Sequence, residues 1–233
     1  MSNFLDQNKE KYSAKIAQLN LNKATNNCIN IYTSEINLEN TYILSWIKIE
    51  YTQNLKTYIL LYDNFIAGIY NFRELISQAL NNNLQLDPSI QKSLGFYLSQ
   101  YYKNNNRKNL IYKESDEGNK YWIGSKYKLF DFNPASWLYN DQHGNIFLET
   151  TPIYPWFFDK PEAGETFVKY SEWMKTYKPL LIRTISKETA QQWLKQIDEL
   201  IEVVKANDEK IRCTGLGCLH CAKEGKTGCP CGS

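Results

Sequence analysis

The chain has 233 residues, of which 22% are charged and 42% hydrophobic, and its formal net charge is +2. A chain of this length buries roughly 70% of the surface that its unfolded form exposes, so it needs no covalent staple to fold. The composition excludes a disordered protein, and the near-neutral body carries no electrostatic footprint for nucleic acid. Residues 1–20 lack an apolar signal region, and no stretch reaches the ~20 apolar residues of a membrane span, which predicts a cytoplasmic protein without a membrane partner.

Hydrophobic periodicity predicts helices and strands in turn along the first half of the chain. It predicts a helix over 2–19, an Asn-rich loop over 22–30, and an antiparallel meander over 41–70 with strands at 44–51, 58–62 and 65–70. Asn71 and Glu74 form a capping-box-like pair, which predicts a helix from Asn71 to about Leu80. Asp87 before Pro88 predicts the start of a further helix that runs to about residue 102.

The second half of the chain predicts more β structure and then two helices. Short strands are expected at 110–112, 121–123 and 127–132, and strands at 137–139 and 146–150 flank a hairpin loop at 140–145. Prolines prevent the segment 151–158 from being an interior strand, so it is expected to pack as an edge or crossing segment. Helices are predicted at 166–177 and, behind a Ser186 cap, at 187–206.

These elements predict an α+β fold in which an antiparallel sheet, built as a meander and a hairpin from 41–70 and 109–150, packs against several helices. No internal repeat is visible in the sequence. Apolar periodicity stops at 207–212, so we divide the chain into a globular domain, 1–206, and a short cysteine-rich tail, 207–233.

The tail holds five of the six cysteines. In a reducing compartment such a cluster favours a metal over a disulfide framework, and structural zinc takes four thiolate or imidazole ligands. One zinc ion is therefore predicted, with an iron–sulfur cluster as the less favoured choice. The simplest ligand set is Cys218, Cys221, Cys229 and Cys231, with Cys213 or His220 as a spare ligand.

The segment Cys229-Pro-Cys-Gly-Ser233 resembles the opening of the SEC-C zinc-binding motif. That resemblance implies zinc, and the family places two further ligands downstream of these five residues. The spacing of the thiols by Gly and Lys is also similar to a small bacterial metallothionein in composition. Two alternatives remain open for the tail, a redox or disulfide segment and a peptide that is modified after synthesis.

In the body, an aromatic segment bounded by prolines predicts a surface that binds a protein partner. Its residues are Trp137, Tyr139, Tyr154, Trp156 and Phe157. His143 is interpreted as a loop residue and Cys28 as a small buried hydrophobe rather than a nucleophile. Carboxylate pairs such as Glu149 with Asp159 are interpreted as parts of solvated loops.

Three functions follow as hypotheses. The first is a non-catalytic binding protein, of an immunity or accessory type, whose zinc-binding tail organises a partner contact. The second is an enzyme whose site is scattered through the body, for which a pocket with convergent titratable groups would be the sign. The third is a carrier or precursor whose tail is the substrate of a modifying enzyme.

Overall fold

In the residues that the structure describes, this α+β protein has two antiparallel sheets and four α-helices. The structure, a computed structural model, describes residues 12, 14–22, 27–90, 93–104, 119–125, 134–152, 154, 156, 161, 164 and 166–214. The single predicted sheet is therefore two sheets, each a four-stranded meander in chain order. Within the described ranges, no helix combines the length and the apolar composition needed to cross a membrane.

The N-terminal sheet contains strands β1 to β4, each antiparallel to the next. Their bounds are β1 Ala14–Asn22, β2 Asn27–Thr33, β3 Trp46–Gln53 and β4 Lys56–Asn64. Alternate residues of β3 point to the core, where Ile47, Ile49 and Tyr51 are fully buried, as period-two alternation predicts. The meander over 41–70 is confirmed as far as Asn64.

The predicted helix over 2–19 is wrong over 14–19, which belong to β1; residues 2–11 and 13 lie outside the described part of the chain. The predicted loop over 22–30 is wrong over 27–30, which begin β2. In both cases pairing with a distant partner decides the structure, because Ile29 and Ile31 lie opposite Leu19 and Ala17 across the two strands. Tertiary pairing overrides a weak helical period here.

Helix α1, Phe65–Leu80, begins directly after β4. The predicted strand at 65–70 and the predicted cap at Asn71 are both wrong. The cap is Asn64, whose side-chain oxygen accepts a hydrogen bond from the Ala67 N–H at 2.8 Å. Burial of Phe65, Ile69 and Phe72 along one side shows the helical period of this segment.

The C-terminal sheet contains β5 Trp122–Ser125, β6 Ala135–Asn140, β7 Ile146–Thr151 and β8 Leu181–Ile185. The predicted hairpin of β6 and β7 is confirmed. Its loop is held by Asp141, whose Oδ1 accepts the N–H groups of His143 and Asn145 at 2.8 and 2.9 Å. Strand β8 was not predicted, and the strands predicted at 110–112 and 127–132 lie outside the described residues.

The described part of the chain contains three further α-helices, which are α2 Leu94–Asn104, α3 Tyr170–Lys175 and α4 Lys187–Thr214. The segment after Asp87 is a turn, in which the Asp87 carboxylate accepts the Ser89 N–H at 2.8 Å, so α2 starts later than predicted. Helix α3 occupies only part of the predicted 166–177, and α4 extends beyond the predicted end at 206.

Each four-stranded meander leads into a long helix: β1 to β4 are followed by α1, and β5 to β8, with α3 between β7 and β8, are followed by α4. Both helices carry the same type of cap, since Ser186 Oγ accepts the Thr189 N–H at 3.1 Å as Asn64 accepts that of Ala67. The two helices pack together, with Trp193 of α4 against Phe72 of α1 at 6.4 Å between ring centroids. Repetition is therefore visible in the topology although not in the sequence.

Near its C-terminal end, α4 is fixed to the loop before β3. The buried side chain of Asn207 donates hydrogen bonds to the carbonyl oxygens of Leu38 and Thr41 at 2.8 and 3.2 Å. The helix thus passes through the residues at which the sequence divides into a body and a tail. The division at 206 and 207 stays a prediction about domains.

Candidate functional site

The residues predicted to bind zinc mostly follow the described part of the chain. Cys213 belongs to the last turn of α4, and the remaining candidates, which are Cys218, His220, Cys221, Cys229 and Cys231, lie outside the described residues. Among the described residues, no three His, Cys, Asp or Glu side chains come together as a metal site. The zinc site therefore stays a prediction from the sequence.

The five aromatic residues predicted to bind a partner do not all lie at one surface. Trp137 and Tyr139 of β6 are only 4% and 5% exposed, and Tyr139 stacks on Phe147 of β7 at 5.6 Å. They are core residues because α2 covers this side of β6 and β7. Phe157 lies outside the described residues. Trp137 and Tyr139 are therefore too buried to contact a partner, unlike the aromatic residues that follow β7.

Tyr154 and Trp156 belong to an aromatic surface on the side of α3. We define this aromatic surface as Tyr154, Trp156, Phe167, Tyr170 and Trp173. Tyr154 is its buried centre, with edge-to-face contacts of 5.4–5.5 Å to Trp156, Tyr170 and Trp173. Phe167 packs on Trp156 at 5.4 Å and is 53% exposed, so it forms the outer edge.

Hydrogen bonds hold the aromatic surface to the rest of the fold. The Tyr154 hydroxyl donates to the Val168 carbonyl oxygen at 2.7 Å, and the Tyr170 hydroxyl donates to the Ser99 carbonyl oxygen of α2 at 2.9 Å. The rings are thereby fixed before any partner arrives, which lowers the entropic cost of binding. The helical spacing of Phe167, Tyr170 and Trp173 predicts a buried face, so the sequence does not single these three residues out for partner binding.

Cys28 and His143 lie where the sequence predicts them, the first buried and the second in a loop. Cys28 of β2 is buried, with its Sγ 3.7 Å from Asn30 Oδ1. His143 lies in the exposed hairpin loop, where Asp141 accepts a hydrogen bond from its backbone N–H. That carboxylate holds the loop in shape.

Glu149 is the most unusual titratable group of the described structure, and its interpretation as part of a solvated loop is wrong. It lies in β7 with no exposed surface. Its carboxylate accepts the N–H groups of Leu94 and Gly95, at the start of α2, at 3.1 and 3.0 Å and the Tyr139 hydroxyl at 3.0 Å. The close approach needs Gly95, since a Cβ there would lie 2.3 Å from Thr151 Cγ2.

The Glu149 carboxylate acts as a tertiary cap for α2. Burial raises the pKa of the Glu149 carboxyl, although Gly95, Tyr139, Ser93 and Leu94 oppose the rise by hydrogen bonding. Burial of Tyr177, together with the nearby Glu149 charge, raises the pKa of the Tyr177 hydroxyl to about 12. No described residue forms an ion pair with Glu149.

Glu149 gives the stability a specific pH dependence. Because its pKa is higher in the folded chain than in the unfolded chain, the stabilisation from proton uptake is complete below the ordinary carboxyl pKa and is lost as the pH rises through the folded value. We expect the free energy of unfolding of the wild type, relative to Glu149→Gln, to fall as the pH rises above the ordinary carboxyl pKa, measured in thermal melts across this range. A relative stability that rises over this range would show that hydrogen bonding to the ionised form outweighs burial.

Comparisons with family models, with curated proteins and with the solved structures found no match for this chain.

Proposed function

We propose that this chain is a non-catalytic binding protein of the cytoplasm whose aromatic surface contacts a protein partner. The observation that supports this best is Phe167, which remains 53% exposed while its ring packs on Trp156. Aromatic residues bury large areas at low entropic cost and are enriched among the residues that dominate binding energy. An exposed Phe on a fixed aromatic base is an anchor of this kind.

The order within the aromatic surface supports the same function. The hydroxyl groups of Tyr154 and Tyr170 donate hydrogen bonds to backbone carbonyl oxygens, so these two polar groups are satisfied inside the protein. Phe167 offers an exposed apolar ring beside them. Burying apolar area is the dominant favourable term in protein association.

The proposal includes one zinc ion bound by the cysteine-rich tail, with Cys218, Cys221, Cys229 and Cys231 as ligands. The four proposed ligands follow α4 in the sequence, and Asn207 fixes the position of the last turns of that helix. A zinc ion would give the tail a fixed shape, since structural zinc in short peptides contributes roughly 10–16 kcal/mol of apparent binding. The folded tail would then supply a second contact to the partner.

The proposal is tested by recovering the partner with the tagged full-length chain from its own cells. Phe167→Ser should reduce the recovered partner at least roughly tenfold, because loss of an exposed aromatic anchor costs about 2 kcal/mol or more. Ile36→Ser is the matched control, since Ile36 is also an exposed apolar residue and lies before β3. Equal recovery with Phe167→Ser and the wild type would contradict the role of the aromatic surface.

A further inference from the structure

A buried carboxylate and the aromatic surface are joined by one helix, α2. The start of α2 lies on Glu149 of β7, which accepts the N–H groups of Leu94 and Gly95 at 3.1 and 3.0 Å. One helical turn after Gly95, the carbonyl oxygen of Ser99 accepts the hydroxyl of Tyr170, a residue of the aromatic surface, at 2.9 Å. A movement of α2 away from β7 therefore changes both contacts.

A second connection passes through Tyr177, which lies between α3 and β8. Phe96 of α2 packs edge-to-face on the Tyr177 ring at 5.5 Å between centroids, and Tyr177 packs on Trp173 of the aromatic surface at 5.4 Å. The Tyr177 hydroxyl is hydrogen-bonded to Thr151, two residues after Glu149 in β7. The aromatic surface is thus fixed both to α2 and to the strand that carries the buried carboxylate.

The groups that face the Glu149 carboxylate carry no positive charge. Tyr139 lies on it from β6 and Tyr177 lies near it, and burial together with the Glu149 charge raises the pKa of both phenols, which therefore stay protonated while a carboxyl titrates. Ile182 of β8 lies opposite Glu149, and the start of α2 contributes backbone N–H groups and the Ser93 hydroxyl. Ionised Glu149 is therefore a buried negative charge that is compensated by dipoles alone.

We propose that ionisation of Glu149 releases the start of α2 from β7, so that the aromatic surface is ordered when this carboxyl is protonated and loosened when it is charged. Movement of α2 admits water to the carboxylate, which removes the cost of burying its charge. The closed state, with α2 packed on β7, therefore binds the proton more tightly than the open state, and a rise in pH favours opening. Between the pKa values of the two states, each pH unit increases the opening equilibrium constant up to about tenfold.

The consequence for binding rests on the proposed function, in which the aromatic surface contacts a protein partner. A partner that recognises the ordered rings binds the closed state, so its affinity falls as the closed fraction falls. Glu149 has no exposed surface, so it would act as a positioning residue that the partner does not touch. The aromatic surface would then be a binding surface that acid strengthens.

The full-length protein without any partner tests this coupling. The readouts are the indole ¹⁵N–¹H resonance of Trp173 and the hydrogen exchange of the α2 amides, corrected for the intrinsic pH dependence of exchange. As the pH rises, we expect the Trp173 resonance to shift with one midpoint above the ordinary carboxyl pKa. Protection of the α2 amides should fall over the same range, by up to about tenfold per pH unit. Constant protection of these amides would overturn the proposal.

Variants assign the transition to one carboxyl group. Glu149→Gln should abolish the pH dependence of both readouts, which a merely structural role of this side chain would not do. His143→Gln and Glu172→Gln are the matched controls, because they remove an ionisable side chain from the loop between β6 and β7 and from α3, respectively. Both controls should keep the transition. A transition that persists in Glu149→Gln, or is lost in Glu172→Gln, would contradict the assignment.

Tyr139→Phe decides the matter if Glu149→Gln does not fold. It removes a hydrogen bond that lowers the pKa of Glu149, so the midpoint of the Trp173 shift should move to higher pH. An unchanged midpoint would overturn the proposal. None of these measurements needs a partner, so their outcome is separate from that of the recovery experiment with Phe167→Ser, which tests the proposed function itself.

Discussion

Cys221→Ser should weaken zinc binding at least roughly tenfold while the melting temperature of the folded body stays unchanged. Four ligands share an apparent binding energy of roughly 10–16 kcal/mol, or about 3 kcal/mol each, and each 1.4 kcal/mol is a factor of ten. A spare ligand, Cys213 or His220, recovers part of this loss. The measurement is competition with a chromophoric chelator, followed by a thermal melt.

The melting temperature should not move because the described core does not involve the proposed ligands. Of the described residues, the last buried side chain is that of Asn207. Cys28→Ser is the matched control, because it makes the same chemical change at the buried cysteine of β2 and should leave zinc affinity unchanged. Unchanged affinity in Cys221→Ser would remove Cys221 from the ligand set, and a large loss of thermal stability would make the tail part of the core.

Trp193→Ala should destabilise the body by about 3–5 kcal/mol, which is the usual cost of removing a buried aromatic ring. Trp193 is 1% exposed, packs on Phe72 of α1 and donates from Nε1 to the Asn20 carbonyl oxygen at 2.9 Å. It therefore joins α4 to α1 and to β1. For a chain of this size the melting temperature should fall by roughly 6–20 °C.

A second variant of Trp193 measures the contribution of its N–H group, and a control variant changes an exposed residue of the same helix. Trp193→Phe keeps most of the ring but leaves the Asn20 carbonyl oxygen without its donor, so we expect a loss of about 1–3 kcal/mol. Val203→Ala changes an exposed residue of the same helix and should stay within roughly 0.5 kcal/mol of the wild type. Equal stability of Trp193→Ala and Val203→Ala in denaturant titrations would show that α4 does not pack as described.

The sequence predicts those elements that local chemistry determines. The hairpin of β6 and β7 follows from the loop residues around Asp141 and Gly144, whose φ of 79° suits glycine. Helix α4 follows from its cap at Ser186 and its helical period. Both signals lie within the segment itself, so no knowledge of distant residues is needed.

The elements that the sequence misses depend on distant partners. Strand β1 exists because β2 lies beside it, and β8 is a five-residue strand that completes a sheet by pairing with β7. The sequence favours a cap at Asn71 because Asn64, the true cap of α1, is also the last residue of β4, so the apolar pattern of the strand runs into the helix without a break. Local periodicity does not distinguish these cases.

The candidate sites show the same division. The proposed zinc ligands of the tail can be selected from the sequence because these cysteines lie close together along the chain. The Glu149 cap brings β7 to the start of α2, and the Tyr170 contact joins α3 to α2, positions far apart in sequence. Only the fold brings such residues together, so the sequence alone interpreted Glu149 as a solvated loop residue and did not single out Tyr170.

We propose that the chain is a binding protein whose tail holds one zinc ion. Native mass spectrometry of the full-length protein tests both parts of this proposal in one experiment. The protein is isolated from its own cells without added metal or reductant. We predict a complex of the chain with one zinc ion and a protein partner, in which acid releases the zinc. A metal-free chain without a partner would contradict the proposed zinc-bound binding protein. The masses would then show whether the tail cysteines are oxidised in pairs or otherwise modified.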